Sequence, residues 1–542
     1  GSWSLFKKQE LLKEYQHHIP NTVPSKDQYS DIQEQVEAVF LNYLPFMTEY
    51  LNNKNDTNHN EYFWKIIIQD WFYCAVSTVY EYYFRIQNID LKEEVFVDIF
   101  NVSTKHIFNF NYEFNEKVQI STEYNNYVFS ELIKTGVFKN IKINNVNTIE
   151  IKQKEMLKSF WKPNLKSKII SKIKSYLRIE AIFGFNIIEQ IYLSSILSLK
   201  ALFKFNHSKK RNIFDPKKEI SILKDFHWKK FLIQNIPTEY FNIKKIPKPK
   251  FIPKGGIYIC SNYKSPSTNS YKIALLNEAN VSIFSSQHGC GYGDFHSLTR
   301  NNLNELSLDG FFSWGWKNYG PQPERVHPLS SPLLSKIRSR TQKSTTEKKL
   351  ITLASTCFQP YSFCSSSGYE SHFFTDYLSK IEGFIETLSP SVIEDFKYRP
   401  RLTHREASFK VIEPIEEKFP KIELLKGNLD EHLYSTKLII IDNPSSVLNK
   451  SFAANIPTIL FWNRDCWQMS DIFGKYIERF IDLKIFFDCS EEAAKHINSI
   501  HHNIDKWWLS NEVQSAVNDF REEFCRTSKT PLRDWSKYLL KL

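Results

Sequence analysis

No run of about eighteen uninterrupted apolar residues occurs in this 542-residue chain, which excludes a helix long enough to span a bilayer. No leader pattern of basic residues followed by an apolar stretch opens it, so a soluble, cytoplasmic protein is expected, at most resting on the inner face of the cytoplasmic membrane. The eight cysteines form no C-x-x-C pair, which argues against the common zinc sites and against a disulfide framework. There is no helix-turn-helix, zinc-finger or RNA-binding pattern either, so the net charge of +11 is not read as a nucleic-acid footprint. Its basic clusters, Lys162–Lys174, Lys209–Arg211 and Lys244–Lys254, suit an anionic glycan or an anionic membrane surface better.

What is present is alternation. From about residue 28 to 90 apolar residues recur at helical spacing, as in Ile32, Val36, Val39, Phe40, Tyr43 and Leu44. Residues 94–155 break into strand-like pieces between Asn-rich turns and read as an insertion. Lys166–Leu177 is a basic amphipathic helix, either a solvated face or one that lies on a bilayer. From Gly256 onward short apolar strands alternate with helices: Ile257–Ser261, a helix over Ser270–Glu278, and Val281–Ser285. A polar linker over Ser335–Lys349 precedes a second such run, with strands at Leu350–Ala354 and Phe396–Pro400 and helices at Tyr369–Leu388 and near Asp430–Tyr434. The tail, 501–542, is helical. Two tandem α/β domains follow, both doubly wound, with domains expected at 1–335, 336–500 and a C-terminal helical segment packing back across them.

The most informative stretch is Lys437–Asn463. An apolar strand, Leu438–Ile441, runs into Asp442-Asn443-Pro444, and Ser445-Ser446 opens a helix. A helix start offers unpaired N–H groups and a positive dipole end, and serine hydroxyls add donors, so the turn suits a phosphate. Ser445 as a simple helix cap is the alternative. In the first α/β half, Gln287-His288-Gly289-Cys290-Gly291-Tyr292-Gly293-Asp294 follows a strand; its glycines allow close backbone approach, and His288 is an acid or base candidate, or else a structural hydrogen-bond donor. Arg399 and Arg401 share a strand face and are read as a clasp for a carboxylate or phosphate, with His404 beyond them. Ser355, Thr356 and Gln359 form a further polar loop in the same layer.

These pieces resemble GT-B glycosyltransferases, above all those with cytidine-activated donors: the strand-end Gln287-His288-Gly289, and Asp442-x-x-Ser445-Ser446-Val447 followed by Ala453–Ile459. Similar motifs occur in capsule Kdo transferases and in CDP-glycerol polymerases. Across most of its length the chain resembles a bacterial transferase family of surface-polysaccharide loci, through Trp3–Phe6, Tyr62–Trp64, Asp70-Trp71, Ser285–Asp294, Phe312–Trp316 and Asp442–Trp462. The resemblance implies a metal-independent enzyme without a cofactor that moves an ulosonic sugar, Kdo or a nonulosonate, from a CMP donor to a glycan or lipid-linked acceptor. His288 and Asp294 are the implied catalytic residues; Gln287, Gly289, Ser355, Arg399, Arg401, Asp442, Asn443, Ser445 and Ser446 would hold the donor. CDP-polyol transfer and a non-catalytic glycan-assembly role are the alternatives. Asn443-Pro444 in place of a tyrosine after Asp442, and Arg399-Pro400-Arg401 without a His-Pro, weigh against the polyol.

Overall fold

The computed structural model describes residues 23–91, 93–151, 165–203, 219–253, 255–261, 268–296, 304–356, 361, 373–401 and 411–542. The Trp3–Phe6 motif, Lys209–Arg211, Gln359 and His404 lie outside them, as do the side chains of Lys166 and Lys168.

Two long helices open the described chain. Ser25 and Gln28 close a capping box on Lys26–Asn55, and Asn60 caps Glu61–Gln87 through the Phe63 N–H. The second helix is buried without a break from Phe63 to Glu81, as expected of a helix packed on all sides. Residues 94–151 join its core: strands β1 (Val95–Val102) and β2 (Ile141–Ile149) pair in parallel, while Phe114, Tyr124 and Tyr127 pack with Trp71 and Phe72. The helices Asn111–Ile120 and Thr122–Ile133 replace strand-like pieces that the sequence suggested, because Phe114 and Val118 on the first and Tyr124, Tyr127, Val128 and Leu132 on the second recur at helical spacing and are buried.

The first α/β sheet is wholly parallel, in the order β3 (Ile257–Cys260), β4 (Ser282–Ser286), β5 (Gly310–Ser313), β6 (Val326–Pro328). Helix Thr268–Glu278 links β3 to β4 and shares its core with the N-terminal helices. The opposite face, with Ile259, Phe284 and Phe312, is covered by Leu193, Ile196 and Leu197 of helix Ile187–Phe203 and by Trp535 and Leu539 of helix Pro531–Lys541.

The second sheet holds β7 (Leu350–Ala354), β8 (Phe396–Arg399), β9 (Glu423–Leu424), β10 (Thr436–Ile441), β11 (Thr458–Phe461) and β12 (Phe486–Phe487), all parallel, in the spatial order β12-β11-β10-β7-β8-β9. That is the Rossmann order, and it reverses between β7 and β10, where open α/β sheets bind ligands. Successive β10 residues alternate between faces. Ile439 and Ile441 pack with Phe452, Phe473 and Phe520, whereas Leu438 and Ile440 pack with Ile381, Phe384 and Ile497, so helices cover both sides.

Ser335–Lys349 is not a linker throughout. Ser331 caps a helix with Pro332 at its first turn that runs to Lys343, and Arg338 donates to the Ala453 carbonyl at 3.1 Å, so residue 335 falls inside a helix packed on the second domain. Its polarity is that of one exposed face: Pro332, Leu334 and Ile337 are buried. The tail does cross back. Helix Asn511–Phe524 buries Val513, Val517 and Phe520 in the second domain, and Pro531–Lys541 returns to the first sheet.

Two glycines test this packing. A Cβ at Gly310 would lie 2.1–2.7 Å from the Phe284 ring, whereas one at Gly474, within helix Asp471–Asp482, meets nothing within 4 Å. Gly310→Ala should lower thermal stability, with overpacking costing about 1–3 kcal/mol, and Gly474→Ala should raise it by about 0.5–1 kcal/mol. Differential scanning fluorimetry of the two variants reads both signs.

Candidate functional site

The loop after β4 is built to hold His288 in place. Gln287 is buried, and its Oε1 accepts from the Trp314 N–H and the Trp316 Nε1–H, both at 2.8 Å, while its Nε2 donates to the Gly289 carbonyl at 2.9 Å. Its side chain is thus spent on shaping the loop. Gly291 and Gly293 take φ values of 88° and 84°, open to glycine at little cost, and a Cβ on Gly293 would strike Trp316 at 2.8 Å. Gly289 needs no such conformation; its part is the carbonyl that Gln287 holds.

His288 is mostly buried. Its Nδ1 lies 3.1 Å from the Tyr292 hydroxyl, which donates to Glu305 Oε2 at 2.8 Å, and Glu305 Oε2 is 3.8 Å from Nδ1. With the Tyr292 proton given to Glu305, the imidazole meets Tyr292 as a donor from Nδ1, which leaves Nε2 as the basic nitrogen. Glu305 is therefore the carboxylate that orients His288 through Tyr292. No spacing rule links positions 288 and 305, so only the fold reveals the pair. Asp294 is buried; its Oδ2 accepts from Gly291 N–H at 2.9 Å, and burial pushes its carboxyl up to about 6. A second acid that the sequence did not mark is Glu180, at the free edge of β3, where its N–H donates to the Ile259 carbonyl; burial pushes it up to about 7. Three residues on, Phe183 sets its ring 5.7 Å from that of His288.

On the second sheet, Asp442 ends β10 with no exposed surface. Its Oδ2 accepts from Ser355 Oγ at 2.7 Å and Tyr377 OH at 2.6 Å, its Oδ1 from Asn443 Nδ2 at 2.7 Å, and Tyr398 OH donates to Ser355 Oγ. Burial raises the Asp442 carboxyl to about 6 despite these donors. Ser355, Asp442 and Asn443 therefore form the underside of the switch point, joining the ends of β7 and β10 below the Ser445–Ser446 turn. Ser445 precedes helix Ser446–Ala454 without a side-chain cap bond, unlike Ser331, Ser470 and Ser510 on their helices. The capping alternative for Ser445 is thus not realised.

The two sheets meet here. The Cys290 thiol lies against the Ser446 backbone N–H and feels the Arg401 charge, while burial pushes it up to about 12. Ser470, after β11, donates from N to the Asp294 carbonyl at 2.8 Å and from Oγ to the Gly293 carbonyl at 2.7 Å. Phe295 and Met469 add an antiparallel bridge. The loop of His288 and the helix start at Ser446 are thereby brought together. Arg399 is committed to the backbone: its guanidinium donates to the carbonyls of Pro400 and Gly427 at 2.8 and 2.9 Å, leaving a buried Nε without a partner.

Two parallel-sheet domains whose strand carboxyl ends face each other, closed by a C-terminal helix that returns to the first, form the GT-B arrangement, an α/β fold. The chain belongs to the LIC12162 family of transferases, whose model matches residues 1–539. Among curated proteins, no sequence matches it. Among solved structures it is similar to the wall teichoic acid polymerase TagF (12% identity, 53% of this chain and 80% of that one, TM-score 0.28). It is also similar to S. aureus MnaA with UDP (12%, 81% and 94%, 0.32) and to WaaG, a glycosyltransferase of lipopolysaccharide biosynthesis (10%, 67% and 97%, 0.25). Likeness at this level assigns neither donor nor acceptor.

Buried Asp442 makes stability depend on pH. Its folded pKa, about 6, lies above the ordinary 3.8, so between those values the folded state holds more protons than the unfolded one and stability falls as pH rises. Asp294 acts in the same sense. Asp442→Asn should flatten the decline in melting temperature between about pH 4 and 6, and thermal melts across that range measure it.

Proposed function

We propose that this transferase moves a sugar, a 3-deoxy-ulosonic acid such as Kdo or a nonulosonate, from a CMP donor to a glycan or lipid-linked acceptor. One observation carries the reading: the His288 loop of the first sheet is fastened by Ser470 and the Phe295–Met469 bridge to the second, which brings it to the helix start at Ser446. In the proposed step an acceptor hydroxyl attacks the anomeric carbon, the bond from that carbon to the phosphate oxygen breaks, and CMP leaves with the electron pair. The acceptor proton passes to His288 Nε2, and Tyr292 and Glu305 steady the imidazolium that results. Charge gathering on the phosphate would face the N-terminus of helix Ser446–Ala454 and Arg401, fixed dipoles and a cation that need no reorganisation. The phosphate would take over the Ser446 N–H from the Cys290 sulfur, a weaker acceptor. Arg399, whose Nε is buried, would in this scheme steady the segment that carries Arg401. Asp294, Gln287, Ser355, Asp442 and Asn443 act in this scheme as positioning residues beneath the donor. The donor class draws on the resemblance of Asp442–Val447 and Gln287–Gly289 to cytidine-donor enzymes; transfer of a CDP-linked polyol phosphate is the second reading, since the same contacts would serve it.

A thermal-shift panel tests the donor. CMP should stabilise the protein by about 2.7 kcal/mol at a hundredfold excess over Kd; a shift with UDP or GDP alone would remove the cytidine assignment, and a shift with CDP and not CMP would favour the polyol. His288→Ala, expected to keep the CMP shift, should lose 10²-fold or more in transfer. A folded His288→Ala protein with full activity would move the base elsewhere, to Asp294 or Glu305.

A further inference from the structure

The helix Ile187–Phe203 buries Leu193, Ile196 and Leu197 against the first sheet and exposes an apolar stripe on the other side. Ile188 is 73% exposed, Leu199 59% and Leu202 67%, with Ile191 and Tyr192 between them, a spacing of three and four residues that lines one face. A solvated face of this length ordinarily carries charge. This helix has only two charged residues, and both are held at its ends. Glu189 accepts from the Asn186 N–H at 2.6 Å as part of a cap, and Lys200 donates to the Leu539 and Leu540 carbonyls at 3.2 and 2.8 Å.

Helix Pro531–Lys541 lies beside it on the same face of the sheet, since Trp535 and Leu539 enter the same core. Its outward residues are therefore part of the same layer: Leu540, exposed, among the exposed cations Arg533, Lys537 and Lys541. No exposed carboxylate lies on either helix. The chain enters this layer from helix Leu165–Lys174, which exposes Ile169, Ile173 and Lys172, and passes Phe183, 42% exposed, whose ring lies beside His288.

We propose that this layer is a docking face for an anionic lipid bilayer, with the Ile187–Phe203 helix lying in the interface and the cations of the last helix meeting headgroup phosphates. An apolar stripe beside charges of one sign is the composition of an interfacial helix. A second copy of the chain fits less well, because a twofold contact through this face would set Arg533, Lys537 and Lys541 near their own images. The path from the stripe through Phe183 to His288 would let an acceptor anchored in the lipid reach the site. This deepens the lipid-linked acceptor of the reading above, yet its test involves no nucleotide, so either can fail alone.

Co-sedimentation with vesicles of phosphatidylcholine, with and without phosphatidylglycerol, tests it. The protein should bind the anionic vesicles, and added salt should weaken binding. The double variant Lys537→Gln/Lys541→Gln should lower partition by about fivefold for each lysine. Ile188→Asp/Leu202→Asp should lower it at least tenfold with an unchanged melting temperature. If the aspartate pair melts early, the exposed lysine pair decides alone. No vesicle binding, equal binding to neutral and anionic vesicles, or partition unmoved by the lysine pair would overturn the proposal. A concentration-dependent dimer that Leu202→Asp dissociates would also overturn it, in favour of a second copy.

Discussion

The backbone seam between the Gly289–Phe295 loop and the segment after β11 is the constraint on which the remaining geometry rests. Ser470 grips two successive carbonyls, Gly293 and Asp294, and the Phe295–Met469 bridge extends the pairing. Because the Ser470 N–H bond and the Phe295–Met469 bridge join main chain to main chain, the relation of the two sheets at this point depends on one side-chain rotamer only, that of the Ser470 hydroxyl. What must be specified by sequence is the loop's curvature, supplied by Gly291 and Gly293, and its support from Gln287 and Trp316. With the loop fixed, Cys290 falls against the helix start of the other domain and His288 against Tyr292 and Glu305.

Beneath that seam the molecule keeps two carboxyl groups where solvation would not place them. Asp294 and Asp442 are both buried, and both hold their protons more tightly than an exposed aspartate. Asp442 accepts three side-chain hydrogen bonds, so its burial fastens β7, β10 and helix Phe374–Thr387 at one point. Preorganisation at the switch point and a cost in stability arise from the same burial.

Much of this was legible in the sequence where local signals were strong. Leu438–Ile441 followed by Pro444 and Ser445 could be read as strand, turn and helix because each residue type has one favoured place there, and the two-domain α/β plan followed from repeated alternation. Short edge strands were not legible: β9 and β12 have two residues each, too few for any period. The helix to Lys343 was masked by its exposed face. Among site residues, Gln287, Ser355 and Asp442 were rightly marked as belonging to strand-end loops, but type and position alone do not say whether a polar side chain points toward a ligand or into the protein. Glu305 and Glu180 were missed because their relation to His288 is set by tertiary packing across distant segments.

The last helix has a consequence for how the protein is made. Trp535 and Leu539 cover Phe312 and Phe284 from more than two hundred residues further along the chain. At 5–20 residues per second, a ribosome needs roughly 10–45 s between synthesising that face and its cover. During this interval the first sheet stands with part of its apolar surface bare, a target for chaperones or for aggregation, while the second Rossmann domain is completed. The domain translated earlier of the two is thus the later to be finished, and loss of helix Pro531–Lys541 would leave its sheet open on one side.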